Sequence, residues 1–181
     1  NGVVDMAIIE VNFISKCLMR VVTFNAIIPV DKFGPQAENA EQKPLKTLYL
    51  LHGIFGNYTD WVNGTRIQAW AEANDLAVIM PPVKPLLPRR RKSGELYGEF
   101  IGKELVEFTR KLFPLSDKRE DTFIAGLSMG GYGAIRNGLK YAETLAVSSV
   151  FPPRSCTICG RMRTTPRDLH IPPQLLRGSF R

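Results

Sequence analysis

Thr122-Phe123-Ile124-Ala125-Gly126-Leu127-Ser128-Met129-Gly130-Gly131-Tyr132-Gly133 runs from an apolar, partly β-branched segment through closely spaced glycines into helix-compatible residues. The pattern predicts a strand over 122–127, a tight turn at Ser128 and a helix over Tyr132–Ala142. Within it, Gly126-Leu127-Ser128-Met129-Gly130 is a G-x-S-x-G pentapeptide. A serine on a sharp strand-to-helix turn sits in strained backbone geometry, so the residues two positions away cannot carry side chains that clash. Such a turn lifts the serine hydroxyl above the sheet edge. It also aims the Met129 amide and the positive end of the helix at the place where an oxyanion would form. Ser128 is the candidate nucleophile and Met129 a candidate oxyanion-hole amide. The plainer alternative is a strand–turn–helix with a structural serine.

Upstream, Lys46-Thr47-Leu48-Tyr49-Leu50-Leu51 reads as a buried strand ending in His52-Gly53 and a polar loop, Ile54-Phe55-Gly56-Asn57. A tetrahedral intermediate carries a full charge and calls for two backbone donors. The Ile54 amide is the candidate for the second donor, with the Phe55 amide as its fallback. His52 is read as a loop histidine that shapes this turn by hydrogen bonding, in preference to a catalytic base.

Three ordered segments, Leu50–Trp61, Ser93–Phe100 and Ala125–Ala134, resemble the esterase branch of the α/β-hydrolase superfamily. That group includes esterase D (S-formylglutathione hydrolase), tributyrin and acetyl esterases, feruloyl esterases and the mycolyltransferases. The likeness is greatest to small bacterial tributyrin and acetyl esterases and covers residues 6–82 and 92–145. It implies an α/β-hydrolase fold, with a mostly parallel central sheet and helices on both faces. It implies a serine carboxylesterase that cleaves short-chain acyl or acetyl esters through an acyl-enzyme on Ser128. Ile54 and Met129 would supply the oxyanion-hole amides, and Trp61 and Phe55 would lie beside the substrate. Acyl transfer in the mycolyltransferase manner is a lesser alternative.

A serine nucleophile needs a base and an acid to orient that base, and in this fold they follow the serine as Asp/Glu and then His. After Ser128 the chain has one aspartate, Asp168, and one histidine, His170. They are the candidate acid and base, but residues two apart on an extended segment point to opposite sides. Composition sets their surroundings apart. The formal charge is +7, yet residues 81–92 hold five cations and no acid, and residues 151–181 hold six arginines against Asp168. Without these segments the remainder is acidic. Both are Pro-rich and lack helix or strand period. They read either as basic arms for phosphate polymers or as out-of-frame translation. Shifted by one base, back-translation of 83–92 permits Ser-Asn-(Arg/His)-Phe-Tyr-x-Asp-Asp-Glu, and that of 146–155 permits Gly-x-Ile-x-Gly-Leu-Ser-Ser-Ala-Leu. The expectation is therefore a core over 6–145, an insert of foreign composition over 83–91, an atypical basic tail over 146–181, and a C-terminal part that is incomplete. The genuine acid and base would then lie in sequence this frame does not read.

The remaining chain fits one α/β domain of a size that can bury a core. Ala7–Ile14 and Arg20–Ile28 read as an edge hairpin, and Leu76–Met80 as a further strand. Thr65–Asn74 reads as a helix with Ile67, Trp70 and Ala71 on one face. Gly98–Phe113 reads as a second, striped by Ile101, Leu105, Phe108 and Leu112. Strands alternating with helices place an active site at the carboxyl ends of the parallel strands. The five residues before Met6 resemble translated upstream sequence. With no leader-like segment and no run of eighteen apolar residues, a cytoplasmic protein is expected. Cys156 and Cys159 are spaced like a metal pair, but only Cys17 and His170 remain as further ligands. No metal or cofactor is expected. The expected partner is a small-molecule ester, not nucleic acid or membrane. Two function classes stay open: an ester hydrolase, and a hydrolase-fold protein without a working Asp/His pair or with a basic binding tail.

Overall fold

The computed structural model describes residues 7–29, 43–83 and 96–151. Six strands are present among them: β1 (Ala7–Ser15), β2 (Arg20–Ile28), β3 (Lys46–Leu51), β4 (Leu76–Met80), β5 (Thr122–Leu127) and β6 (Ala146–Phe151). They form one sheet in the order β1-β2-β4-β3-β5-β6. The β1–β2 hairpin sits at the edge, as its alternating sequence predicts, with Ser15 opposite Arg20 and Ala7 opposite Ile28. β2 joins β4 antiparallel, and β4, β3, β5 and β6 run parallel. This is the mostly parallel sheet of the α/β-hydrolase fold.

Both faces of the central strands are covered, which is why those strands read as continuous apolar runs. Along β3, Leu48 and Leu50 face one layer while Tyr49 and Leu51 face the other; Val78 and Met80 of β4 oppose Ala77 and Ile79 in the same way. Trp61 of helix α1 (Asp60–Gly64) and Ile67, Trp70 and Ala71 of helix α2 (Ile67–Ala73) cover the first layer. The expected Thr65–Asn74 helix is thus shorter at both ends. The second layer is covered by α3 (Leu105–Leu112), by the turn that leads into it, and by α4 (Met129–Lys140). Each large apolar side chain buried here contributes about 1.5–3 kcal/mol.

The expected uniform helix over Gly98–Phe113 is corrected by a π-helical turn, Phe100–Glu104, that runs directly into α3. A π turn takes an extra residue and rotates everything after it. Ile101 and Leu105 stay buried, Val106 and Thr109 turn inward, and Leu112 swings out to 49% exposure. Phe108 still reaches the core by stacking on Phe13, with ring centroids 4.0 Å apart. Thr109 donates its hydroxyl to the Leu105 carbonyl at 2.8 Å and lies 2.7 Å from the Tyr49 hydroxyl. That bond ties α3 to the central strand, and burial pushes the Tyr49 phenol up to about 12. Glu104, the last residue of the π turn, holds the hairpin. It accepts from the Ser15 hydroxyl at 2.6 Å and from the amides of Lys16 and Cys17 at 2.5 and 3.2 Å. Partial burial alone would raise its carboxyl; these bonds outweigh burial and hold it below the ordinary carboxylate value.

The structure moves one more boundary: the helix expected over Tyr132–Ala142 starts at Met129, directly after the turn, and ends at Lys140. After it, β6 pairs with β5 from Ala146 to Phe151. Those six residues are apolar or small, and the composition change that separates the tail begins beyond them. Among the described residues no helix is long and apolar enough to cross a membrane. The Cys156/Cys159 pair, Asp168 and His170, and the Arg89–Lys92 run lie outside the described residues.

Candidate active site

β3 and β5 are adjacent and parallel with Leu51 opposite Gly126, so the loops that leave their carboxyl ends emerge side by side. Ser128 occupies the junction of β5 and α4 with φ 55° and ψ −111°. L-residues other than glycine rarely adopt that region, and it costs about 1–3 kcal/mol. Ser128 is half-buried, its carbonyl accepts the first helical bond from Tyr132 N–H at 3.0 Å, and its hydroxyl makes no capping bond.

The two glycines of the pentapeptide have specific steric reasons. A Cβ on Gly126 would come within 2.5 Å of the Gly130 carbonyl oxygen, where the strand passes the first turn of α4. A Cβ on Gly130 would come within 2.5 Å of the His52 carbonyl oxygen and 2.6 Å of that of Leu51. The first turn of the helix is therefore pressed against the end of β3. As the first residue of α4, Met129 has no intrahelical acceptor for its N–H, and it sits at the positive end of the helix dipole.

Opposite lies a β-turn closed by Gly56 N–H donating to Gly53 O at 3.1 Å. Ile54 and Phe55 are its central residues. The turn leaves the Ile54 amide outside its own hydrogen bond, and Phe55 takes the third position at φ 69°, a conformation that favours glycine. His52 fixes this turn. Val83 N–H donates to its Nε2 at 2.8 Å, so Nδ1 carries the proton and donates to Gly53 O at 2.7 Å. With both ring nitrogens engaged and the side chain buried, His52 is a turn-shaping residue, as its sequence position suggested. Trp61 packs on the layer that covers Leu48 and Leu50, and its indole N–H is buried with no acceptor among the described residues.

Sequence reasoning passed over Leu127. Its side chain packs against Gly53, where a Cβ would meet Leu127 Cδ2 at 3.5 Å, yet it stays 40% exposed. An apolar residue before a strained serine is the signal that pointed to it. Among the described residues there is no cluster of metal-ligating side chains.

The chain matches the family described as "Putative esterase" over residues 22–158. It belongs to that esterase family. It is 45% identical over 166 residues to an acetyl esterase of Caldicellulosiruptor saccharolyticus, a match spanning 90% of this chain and 61% of that protein. Among solved structures, fluorophosphonate-binding serine hydrolase F (FphF) of Staphylococcus aureus is 34% identical. It superimposes with a TM-score of 0.66, over 80% of this chain and 58% of its own. The S-formylglutathione hydrolase FrmB of Staphylococcus aureus is 32% identical with a TM-score of 0.65, over 94% of this chain and 72% of its own. This esterase-family chain thus spans about 61% of the length of the acetyl esterase it matches.

Proposed function

We propose that this chain carries the acylation centre of a serine carboxylesterase acting on short-chain acyl esters, acetate above all. The observation that supports this most is the backbone of Ser128. A non-glycine residue at φ 55°, flanked by glycines that only close backbone approach requires, is the geometry of a nucleophile elbow. Ser128 Oγ attacks the acyl carbonyl carbon. The amides of Met129 and Ile54 hold the oxyanion, and losing either would cost about 3–4 kcal/mol of barrier. The C–O bond to the alcohol breaks, the alcohol leaves with the proton given up by Ser128, and water then releases the acid.

Trp61 and Phe55 complete the proposed substrate site. The indole N–H of Trp61, buried and without an acceptor among the described residues, is the donor we assign to the acyl side. The chain has two histidines, and His52 is committed to the turn on both nitrogens. His170, with Asp168, is the other histidine available within this chain. An oxyanion hole acting without a base leaves roughly 10³–10⁴-fold acceleration over water, so a chain in which that pair does not operate would show residual hydrolysis without a burst. We further propose a cytoplasmic enzyme with a small-molecule substrate.

The test is pre-steady-state release of alcohol from an activated acetate ester. A burst stoichiometric with protein, abolished in Ser128→Ala, is expected. An undiminished burst in Ser128→Ala removes this serine from the mechanism.

A further inference from the structure

Phe55 carries two costs at one position. Its ring is 100% exposed, and its backbone sits at φ 69°, where a bulky residue is disfavoured and glycine is not. Among the described residues no packing compensates for either cost. Ring and strain both sit at the tip of the turn that faces the elbow. Ile54 beside it is 48% exposed and Leu127, packed against Gly53, is 40% exposed. Three exposed apolar side chains therefore stand where the two adjacent loops leave β3 and β5, one of them directly before Ser128. Met19 and Leu139 are exposed as well, but Phe55 alone among the exposed apolar residues of these two loops combines full exposure with a positive φ. Beside the turn the Asp60 carboxylate lies against Gly56, where a Cβ would overlap Oδ2.

We infer that Phe55, with Ile54 and Leu127, is the platform for the alcohol half of the ester, and that the preferred leaving group is a neutral, aromatic alcohol. This rests on the esterase reading above and adds to it the chemistry of the departing group. When the acyl C–O bond breaks, the alcohol oxygen takes the proton released by Ser128, and the neutral alcohol departs across the Phe55 ring. An exposed ring offers its face for offset or edge stacking. An anionic leaving group would instead approach the Asp60 carboxylate and be repelled.

The probes are phenyl acetate, ethyl acetate and S-acetylglutathione, used with the full chain. Comparing each variant with its parent removes the intrinsic reactivity of the esters. Phe55→Asn keeps a residue that tolerates positive φ and removes the ring, so the phenyl-to-ethyl ratio of kcat/KM falls roughly three- to tenfold. Phe55→Trp restores the ratio, and Phe55→Leu serves if the asparagine variant does not fold. Asp60→Asn raises kcat/KM for S-acetylglutathione relative to phenyl acetate. An unchanged phenyl-to-ethyl ratio in the Phe55 variants overturns the inference. So does an equal fall for both esters, because the residue would then only hold the turn. Failure of the underlying reading looks different: the parent protein would show no burst with phenyl acetate and no labelling by a fluorophosphonate.

Discussion

Gly130→Ala asks whether the elbow and the turn after β3 form one packed unit. The added Cβ would sit 2.5 Å from the His52 carbonyl oxygen and 2.6 Å from that of Leu51, and contacts below 3.0 Å are not sustained. Both obstacles are backbone, so no rotamer change relieves them. The first turn of α4 and the end of β3 must separate by at least about half an ångström. Overpacking of this kind costs about 1–3 kcal/mol, which for a chain of this length lowers Tm by about 2–12 °C. The separation falls on the two elements that carry the Met129 and Ile54 amides. Displacing catalytic groups by about an ångström costs on the order of 10²-fold in rate. The assay pairs a thermal melt with the acylation burst. Gly64→Ala is the control: nothing lies within 4 Å of its added Cβ, and the change is neutral or stabilising by up to about 1 kcal/mol. If Gly130→Ala melts with its parent and acylates at the parental rate, the close approach of helix and strand does not set the geometry, and the reasoning fails.

His52→Ala strands Val83 N–H and leaves Gly53 O with one donor fewer. The expected loss is about 2–4 kcal/mol in denaturant unfolding, together with a slower burst; an unchanged unfolding midpoint would show the clamp to be idle. Glu104 gives the fold a pH dependence of known sign. Its carboxyl is lowered in the folded state, so its contribution is present above the ordinary value of 4.5 and fades as pH falls through the folded value. Melts recorded from about pH 6 to pH 3 should show wild type losing stability faster than Glu104→Gln below that point. Parallel curves for the two proteins would refute the assignment.

Much of this architecture can be read directly from residue patterns. The alternation of Ala7–Ile14, the apolar runs at Leu48–Leu51 and Leu76–Met80, and the glycine spacing around Ser128 are local signals with one physical cause each. The features that escaped depend on distant partners or on a single extra residue. The π turn leaves no mark in the sequence, because the same residues would also build an unbroken helix striped by Ile101, Leu105, Phe108 and Leu112. The turn-shaping role of His52 was legible in the sequence, but its partner Val83, 31 residues away, was not. The strained position in the loop is Phe55, although the glycines at 53 and 56 draw the eye first. β6 was obscured by the composition of the residues after it. Asp168 and His170 stay as the sequence presents them.

The strand order sets a timetable for assembly. β1 and β2 meet across a short turn, so the hairpin can close as soon as it is made. β3 lies between β4 and β5, and both arrive later in the chain. During synthesis at about 5–20 residues per second, the interval from Leu51 to Leu127 lasts roughly 4–15 s. Throughout it, an apolar strand that leads into half of the proposed oxyanion hole has an unsatisfied edge, open to chaperones or to wrong pairing. Ser128 arrives on the strand that closes that edge. The proposed nucleophile and hole therefore come into existence together, at a late long-range step, and partly made chains display neither.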